Sequence, residues 1–323
     1  IVTSMINAWN KALTCLKVSG LALMVRSCSF KLSKGMSMFS TIQMGHQLDF
    51  RWNNKLLVSY QYPKDGNRGF WHPLQLPDSP PLTANRPSDH VHHQGMWLAW
   101  KKVNGVNFWE EPASNTDSTG FGRVVQQLIS PYVSDDQCGF SSTNLWVDWQ
   151  DKSHLVEKRS MKIYSPTDCY MLIDVDFELK ALEHPVILDL QRGEPGQGGC
   201  FYSGLTIRFD NRLTHAELLD ANGRTEADQI FGQSSHWCGW SGIHTNDSQT
   251  YSITIIDQPK NPNYPTTWWI RNGSDYGLLH PSPTYYQPIR LAATESVLLS
   301  YRVVVQHGSL SAKLINRLAK LNF

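Results

Sequence analysis

The 323-residue sequence has no long apolar run and no excess of charge of either sign. Lys and Arg number 29 against 28 Asp and Glu, which gives a formal net charge of +1. Binding to the phosphates of nucleic acid requires a strongly basic surface, so we expect no nucleic-acid partner. A membrane-spanning helix needs roughly 18 or more consecutive apolar residues, and no stretch here reaches that length, so we expect no membrane span.

A disulfide framework is also missing. The six cysteines, at positions 15, 28, 138, 169, 200 and 238, are scattered, and no two of them form a C-x-x-C pair. This distribution is typical of reduced or incidental thiols.

The N-terminal part of the chain has no clear structural pattern. Residues 1–35 show neither the alternation of a strand nor a complete helical stripe, although the apolar stretch at 18–25, VSGLALMV, is similar to the centre of a short signal peptide. Three interpretations of this segment stay open. It is upstream sequence wrongly included in the reading frame, a weak signal or anchor, or a true extension of the protein. We predict that residues 1–40 lie outside the domain and that residues 41–323 form one domain. Both a cytoplasmic and a periplasmic location stay open.

From residue 46 onward, short β-branched and aromatic runs alternate with turn residues. About ten strands follow each other with no amphipathic helix between them, and Asn53 and Asn54 mark a hairpin. In YMLIDVDFELK, the alternate residues from Met171 to Leu179 are apolar, which predicts a strand with one buried face. The predicted fold is all-β, a large antiparallel β-sandwich. Residues 308–323 predict a short C-terminal helix with Ser309 as its N-cap.

Histidine is concentrated in the segment PSDHVHHQGMWLAW, residues 87–100. If this segment enters a strand, the period of two places His90, His92 and Gln94 on one face and His93 on the other. A His-x-His pair on a strand can hold two positions of a metal ion. His72, His236 or Asp89 would then have to supply the third ligand.

Acid and base chemistry on a sugar is a second interpretation of the same segment. Histidine titrates near neutral pH, so an imidazole can transfer a proton while a carboxylate assists. Tryptophans at positions 71, 97, 100 and 109 lie close in sequence, and flat indoles stack on pyranose rings. A third interpretation is purely structural, with the histidines bonded to loop carbonyls and to each other.

The stretch RPSDHVHHQGMWLAWKKVNGVNFWEE resembles the signature of the PmoA-like family of unknown function, also named methane oxygenase PmoA. FWHPL (70–74), GGCFYSGLTIRF (198–209) and the segments at 255–283 and 299–308 fit the same family in the same order. The resemblance implies a β-sandwich similar to the galactose-mutarotase-like supersandwich, associated with bacterial carbohydrate metabolism, which binds a sugar in a cleft on one sheet. Several positions depart from the family pattern. Val91 stands where the family has proline and Gln94 where it has arginine, and Tyr264 and Trp269 stand where it often has histidine or another polar aromatic residue.

These patterns together predict a carbohydrate-active enzyme, a hydrolase, lyase or epimerase, acting on a small-molecule or oligosaccharide substrate. His92 and His93 are the candidate acid or base, and Glu111 or Asp89 the partner carboxylate. The candidate substrate-binding residues are His72, His90, Gln94, Trp97, Trp109, Tyr202 and Arg271.

Two other classes of function stay open. One is a sugar-binding protein without catalysis, and the other is a metal-dependent oxidoreductase. No cofactor is predicted, but a divalent metal stays open, with His90, His92 and His72 as the candidate ligands. The sequence leaves the oligomeric state open.

Overall fold

Alternating apolar and polar residues build two large antiparallel sheets in the computed structural model, which describes residues 38–64, 66–112, 118–191, 201–273 and 276–321. The first sheet runs, in spatial order, through β1 (Phe39–Met44), β2 (Gln47–Trp52), β3 (Lys55–Gln61), β4 (Phe70–Leu74), β5 (Met96–Trp100), β12 (Ser203–Arg208), β17 (Gly277–Ser282) and β16 (Thr267–Asn272). The second runs through β13 (Leu213–Asp220), β14 (Trp237–His244), β15 (Thr250–Asp257), β19 (Ser296–His307), β10 (Tyr170–Ala181), β9 (Ser153–Tyr164), β8 (Gln137–Asp148) and β7 (Gly122–Val133). A small third sheet contains β18 (Ile289–Leu291), β11 (Val186–Asp189) and β6 (Lys102–Val103). The predicted all-β, antiparallel fold is confirmed.

The inner faces of the two large sheets pack against each other and form one continuous apolar core. Phe140 of the second sheet stacks on Phe50 and Tyr60 of the first, with ring centroids 6.0 and 4.4 Å apart. On β10, the predicted apolar positions from Met171 to Leu179 are all fully buried. The predicted hairpin is also present, and Asn53 and Asn54 both adopt positive φ, as a tight two-residue turn requires.

Two short helices accompany the sheets, α1 (Ala227–Ile230) and α2 (Ala312–Leu318). The C-terminal helix is confirmed, but its N-cap is Ser311, whose side chain accepts from the Leu314 amide, and Ser309 is not the cap. A short loop precedes the helix, and at its start Gly308 has φ of +85° and donates to Thr250 O at 2.7 Å. No helix in the described ranges is long and apolar enough to cross a bilayer.

The predicted domain boundary lies close to the first strand, because β1 begins at Phe39, two residues before position 41. The predicted N-terminal extension lies almost wholly outside the described residues, which begin at 38. Among the predicted free thiols, Cys138, Cys169 and Cys238 are confirmed as unpaired.

An ion pair is buried inside the sandwich core. Glu157 and Arg159 have side chains with no exposed surface, and Arg159 Nε donates to Glu157 Oε1 at 2.5 Å. Trp146 Nε1 donates to the other carboxylate oxygen, and Arg159 also donates to the Tyr60 hydroxyl of the facing sheet at 3.1 Å. Charges buried in this way are tolerated only when they are paired and hydrogen-bonded.

We expect Glu157→Gln to lower the free energy of unfolding by about 3–5 kcal/mol, because it leaves the Arg159 charge without a counter-charge in an apolar core. The matched control is Glu178→Gln, which breaks an exposed pair with Lys158 and should cost less than about 1 kcal/mol. Urea unfolding of both variants checks this. Equal losses in the two variants would contradict it.

Candidate functional site

The floor of the candidate site is one row of side chains on the outer face of the first sheet. Phe70 lies opposite Trp97, which lies opposite Thr206. The β12–β17 register places Thr206 opposite His280, and Thr206 Oγ1 lies 2.6 Å from His280 Nδ1. Trp269 on β16 completes the row opposite His280. The row exists because residues facing outward alternate with those that enter the core between the sheets.

The histidine segment does not enter the strand. Two consecutive turns hold it instead, with His90 N donating to Pro87 O at 3.1 Å and His93 N donating to His90 O at 2.9 Å. Strand β5 begins only at Met96, after Gly95, which has φ of +65° and where a Cβ would lie 2.2 Å from the Trp71 carbonyl oxygen. The separation of His90 from His93 expected for a strand is therefore wrong.

Two imidazole rings stack above the floor residue Trp97. The rings of His90 and His93 have centroids 4.5 Å apart and are almost parallel, at 7°. His93 in turn stacks on Trp97 at 5.3 Å, while His92 meets His93 edge-on at 4.7 Å. Parallel stacked imidazoles direct their nitrogen atoms side by side and not toward a common point.

Of the candidate metal ligands His72, His90 and His92, the rings of His90 and His92 are neighbours, with centroids 5.7 Å apart, but the three are not arranged as a metal site. His72 Nδ1 lies 3.0 Å from Thr83 Oγ1, on the strand beside the cluster, and burial lowers the His72 pKa. His90 is engaged through Nδ1 with Asp89. Within the part of the chain that the structure describes, no group of three or more His, Cys, Asp or Glu side chains is arranged to hold a metal ion.

Asp89 is held by a buried arginine. Arg208, at the end of β12, donates through Nη1 to Asp89 Oδ2 at 2.8 Å and through Nη2 to Asp89 Oδ1 at 3.2 Å. The Arg208 side chain has no exposed surface, whereas 32% of the Asp89 side chain is exposed. Burial opposes ionisation of Asp89, but the hydrogen bonds from Arg208 and His90 outweigh it and hold its pKa far below the usual range.

The ionised Asp89 determines the tautomer of His90. Asp89 Oδ2 lies 2.8 Å from His90 Nδ1, and an ionised carboxylate can only accept, so Nδ1 carries the proton. When His90 is neutral, its Nε2 atom therefore has the lone pair. About a third of the His90 side chain, 34%, is exposed, so this imidazole is accessible to a ligand.

Burial keeps His92 and His93 uncharged near neutral pH. Burial, reinforced by the neighbouring histidines and Arg208, lowers the pKa of His93 to about 2. Arg208 Nη1 lies 3.3 Å from His93 Nδ1, and since a guanidinium can only donate, this nitrogen must accept. Burial is also the main cause that lowers the His92 pKa to about 4.

The predicted carboxylate Glu111 is tied to the rim of the site. Both of its oxygens accept from Arg86 Nη1, at 2.7 and 2.8 Å. Glu110, the preceding residue, accepts from Lys101 and from Asn107. Both glutamates act electrostatically on His92 and raise its pKa against the effect of burial.

Three predicted binding residues lie deeper than a ligand contact requires. Trp97 and Trp109 have no exposed surface, and Trp109 lies beneath Tyr202, with centroids 4.8 Å apart and planes at 14°. Gln94 is 3% exposed, and its Oε1 atom accepts from Arg68 Nη1 at 3.5 Å. Tyr202 is partly exposed, so it presents the aromatic surface above the buried indoles.

Arg208, Arg68 and Tyr276 are site residues that sequence reasoning missed. The Tyr276 ring lies 4.3 Å from the Arg208 guanidinium carbon and 5.0 Å from that of Arg271, a predicted binding residue that is exposed. Arg68 is 1% exposed and donates to the carbonyl oxygen of His92. Arg208 lies near the end of the apolar run GLTIRF, which predicts that its charge is buried. Because a charged residue is rarely buried without a partner, this position could have been predicted to pair with a carboxylate.

Comparison with known proteins identifies the family. A model of the family of unknown function DUF6807 matches residues 47–320. The chain belongs to the DUF6807 family. The PmoA-like resemblance and the galactose-mutarotase-like relationship stay predictions beside this match. No curated protein matches this DUF6807 member.

Among solved structures, the DUF6807 chain is similar to a TPR-domain containing protein from Parabacteroides distasonis ATCC 8503. The two share 10% sequence identity with a TM-score of 0.27, over 88% of this chain. The DUF6807 chain spans about half the length of that protein, 48%.

We expect the free energy of unfolding of the DUF6807 protein to decrease as the pH falls below 6.5, the ordinary pKa of histidine. The reason is that His93 takes up a proton in the unfolded chain at a higher pH than in the folded protein. The folded pKa is depressed, so this contribution is complete above 6.5 and is lost as the pH falls toward about 2. At about pH 5 the loss from His93 is roughly 2 kcal/mol. Urea unfolding at about pH 8 and about pH 5 measures it.

His93→Gln should remove this part of the pH dependence, whatever its effect on stability at higher pH. His184→Gln, at an exposed turn, should keep the full dependence and is the matched control. A His93→Gln protein with the unaltered difference between the two pH values would contradict the assignment.

Proposed function

We propose that this protein is a carbohydrate-active enzyme in which His90, oriented by Asp89, transfers a proton to or from a sugar. The observation that supports this most directly is the 2.8 Å contact between Asp89 and His90 Nδ1. An ionised carboxylate that fixes the tautomer and orientation of a partly exposed imidazole is the usual arrangement of a histidine general base. This assigns the acid-base role to His90, with His92 and His93 as its neighbours.

Each neighbour of the pair has a distinct task in this proposal. Arg208 keeps Asp89 ionised and in place through two hydrogen bonds. His93 holds the plane of the His90 ring by stacking on it. His92 is neutral near neutral pH, because burial lowers its pKa to about 4, and can accept a hydrogen bond from a substrate hydroxyl.

The substrate class is proposed from the surroundings of the pair. A sugar has hydroxyl groups, which the imidazoles, Glu111 and Arg271 can bind, and C–H faces, which Tyr202 can cover. The sequence resemblance to a PmoA-like family, with a sandwich similar to galactose mutarotase, supports the same class by analogy. Hydrolysis, elimination and epimerisation of a sugar each require a proton transfer, which His90 would provide.

We expect His90→Asn and Asp89→Asn each to lower turnover at least about 100-fold. His90→Asn removes the base. Asp89→Asn introduces an amide that can donate to His90 Nδ1 and so reverse the tautomer of the imidazole. The assay incubates the protein with a panel of mono- and oligosaccharides. Mass spectrometry detects hydrolysis and elimination, and proton NMR detects epimerisation or anomeric exchange.

His184→Asn, on an exposed turn, is the matched control and should keep full turnover. Unaltered turnover in the His90→Asn protein would contradict the proposal. Saturable binding of a sugar that the wild-type protein never transforms would also contradict it and would support a binding protein without catalysis.

A further inference from the structure

We propose that an aromatic patch at the β16 end of the first sheet binds the non-reacting sugar units of the substrate, which is therefore a neutral oligosaccharide. The patch consists of Phe201, Phe231, Tyr285 and Tyr286. This inference rests on the proposed function, because it extends the same site along the sheet. The inference extends the proposed function by stating that the substrate is longer than one sugar unit, that it is uncharged, and which residues bind its additional units.

The four rings of the patch form one connected surface. Phe201 and Tyr285 stack with centroids 4.6 Å apart and planes at 16°. Phe231 stands edge-on to Phe201 at 6.0 Å, and Tyr286 contacts Tyr285 at 4.9 Å. Phe231 is 36% exposed and Tyr286 68% exposed, so the connected rings present aromatic surface to solvent, and contiguous exposed apolar patches often mark binding sites.

An unbroken series of ring contacts joins the patch to the histidine cluster. Phe231 lies 6.0 Å from Trp269, which lies 5.3 Å from Tyr202, and Tyr202 stacks on Trp109. Trp109 contacts Trp97, the floor residue beneath His93, at 5.5 Å. Trp97 and Trp269 are three strands apart, which is roughly 14 Å at the usual spacing of strands. A ligand that extends from His90, which is stacked through His93 above Trp97, to the patch beyond Trp269 must therefore be longer than one sugar ring.

The chemistry around the patch favours a neutral saccharide. Within two positions of each of the four rings the sequence has no charged residue. Exposed amides lie within two positions of the rings in the sequence, at Gln229, Gln233 and Gln287. Ring faces with amides at their edges match a pyranose, which has C–H faces and a rim of hydroxyl groups. A protein partner would need a contact area far larger than two partly exposed rings provide.

The test compares binding across series of neutral β-linked gluco-, xylo-, manno- and galacto-oligosaccharides, from the monosaccharide to the hexasaccharide. Isothermal titration calorimetry measures the Kd of the wild-type protein and of Phe231→Ala and Tyr286→Ala. We expect the Kd of the wild-type protein to fall as the oligosaccharide becomes longer. Each variant should raise the Kd for the longer oligosaccharides about tenfold and should change the Kd for the monosaccharide less than about twofold. Tyr286→Phe, which keeps the ring, should bind as the wild type does.

Trp149→Ala is the matched control, because Trp149 is also 36% exposed but follows β8 of the second sheet. An unaltered dependence on chain length in both patch variants, or no binding in any series, overturns the patch. If the variants lose the dependence while no sugar is transformed, the patch stands and the proposed enzyme function fails. If His90→Asn loses turnover but both patch variants bind normally, the enzyme function stands and the patch fails.

Discussion

The buried guanidinium of Arg208 is the constraint on which the rest of the site depends. A charge without exposed surface must be paired, and Arg208 donates to Asp89, His93 and the Asn211 side chain. Asp89 is held on the face of the sheet by this need, and two turns, the first of which contains Asp89, place His90 and His93 beside it. The electrostatic cost of burying one arginine thus fixes the position, the ionisation and the tautomer of the groups that can perform chemistry.

The sandwich provides a rigid outer face for this arrangement, because the inward side chains of the same strands are packed in the core between the sheets. Met96, Leu98 and Trp100 of β5 point into the shared core, so Trp97 between them must point outward. The outward residue then acts as a base for the stacked imidazoles of His93 and His90. Loops that are irregular in themselves gain a fixed geometry because they pack on this row.

Sequence reasoning found the fold because a strand with one buried face leaves a period-two pattern, as the residues from Met171 to Leu179 show. It missed strands whose pattern is weak, such as the mostly exposed β7 at Gly122–Val133, where no face is consistently apolar. It identified the histidine segment but not its geometry. Two turns and a positive φ at Gly95 leave no periodicity, and the partnership of Asp89 with Arg208 spans 119 positions in the chain.

Buried arginines pair with carboxylates at several places in the described residues, and two of these pairs differ in their consequences. Glu157 and Arg159 are sealed between the sheets, where neither side chain has any exposed surface. Arg208 is equally buried, but 32% of its partner Asp89 is exposed, so the charge of the pair reaches the surface. A sealed carboxylate can only stabilise the core, whereas an exposed one that also contacts an imidazole can change the protonation of a ligand. The exposure of the carboxylate is therefore what distinguishes the Asp89 pair from the sealed Glu157 pair and allows the role that we propose for it.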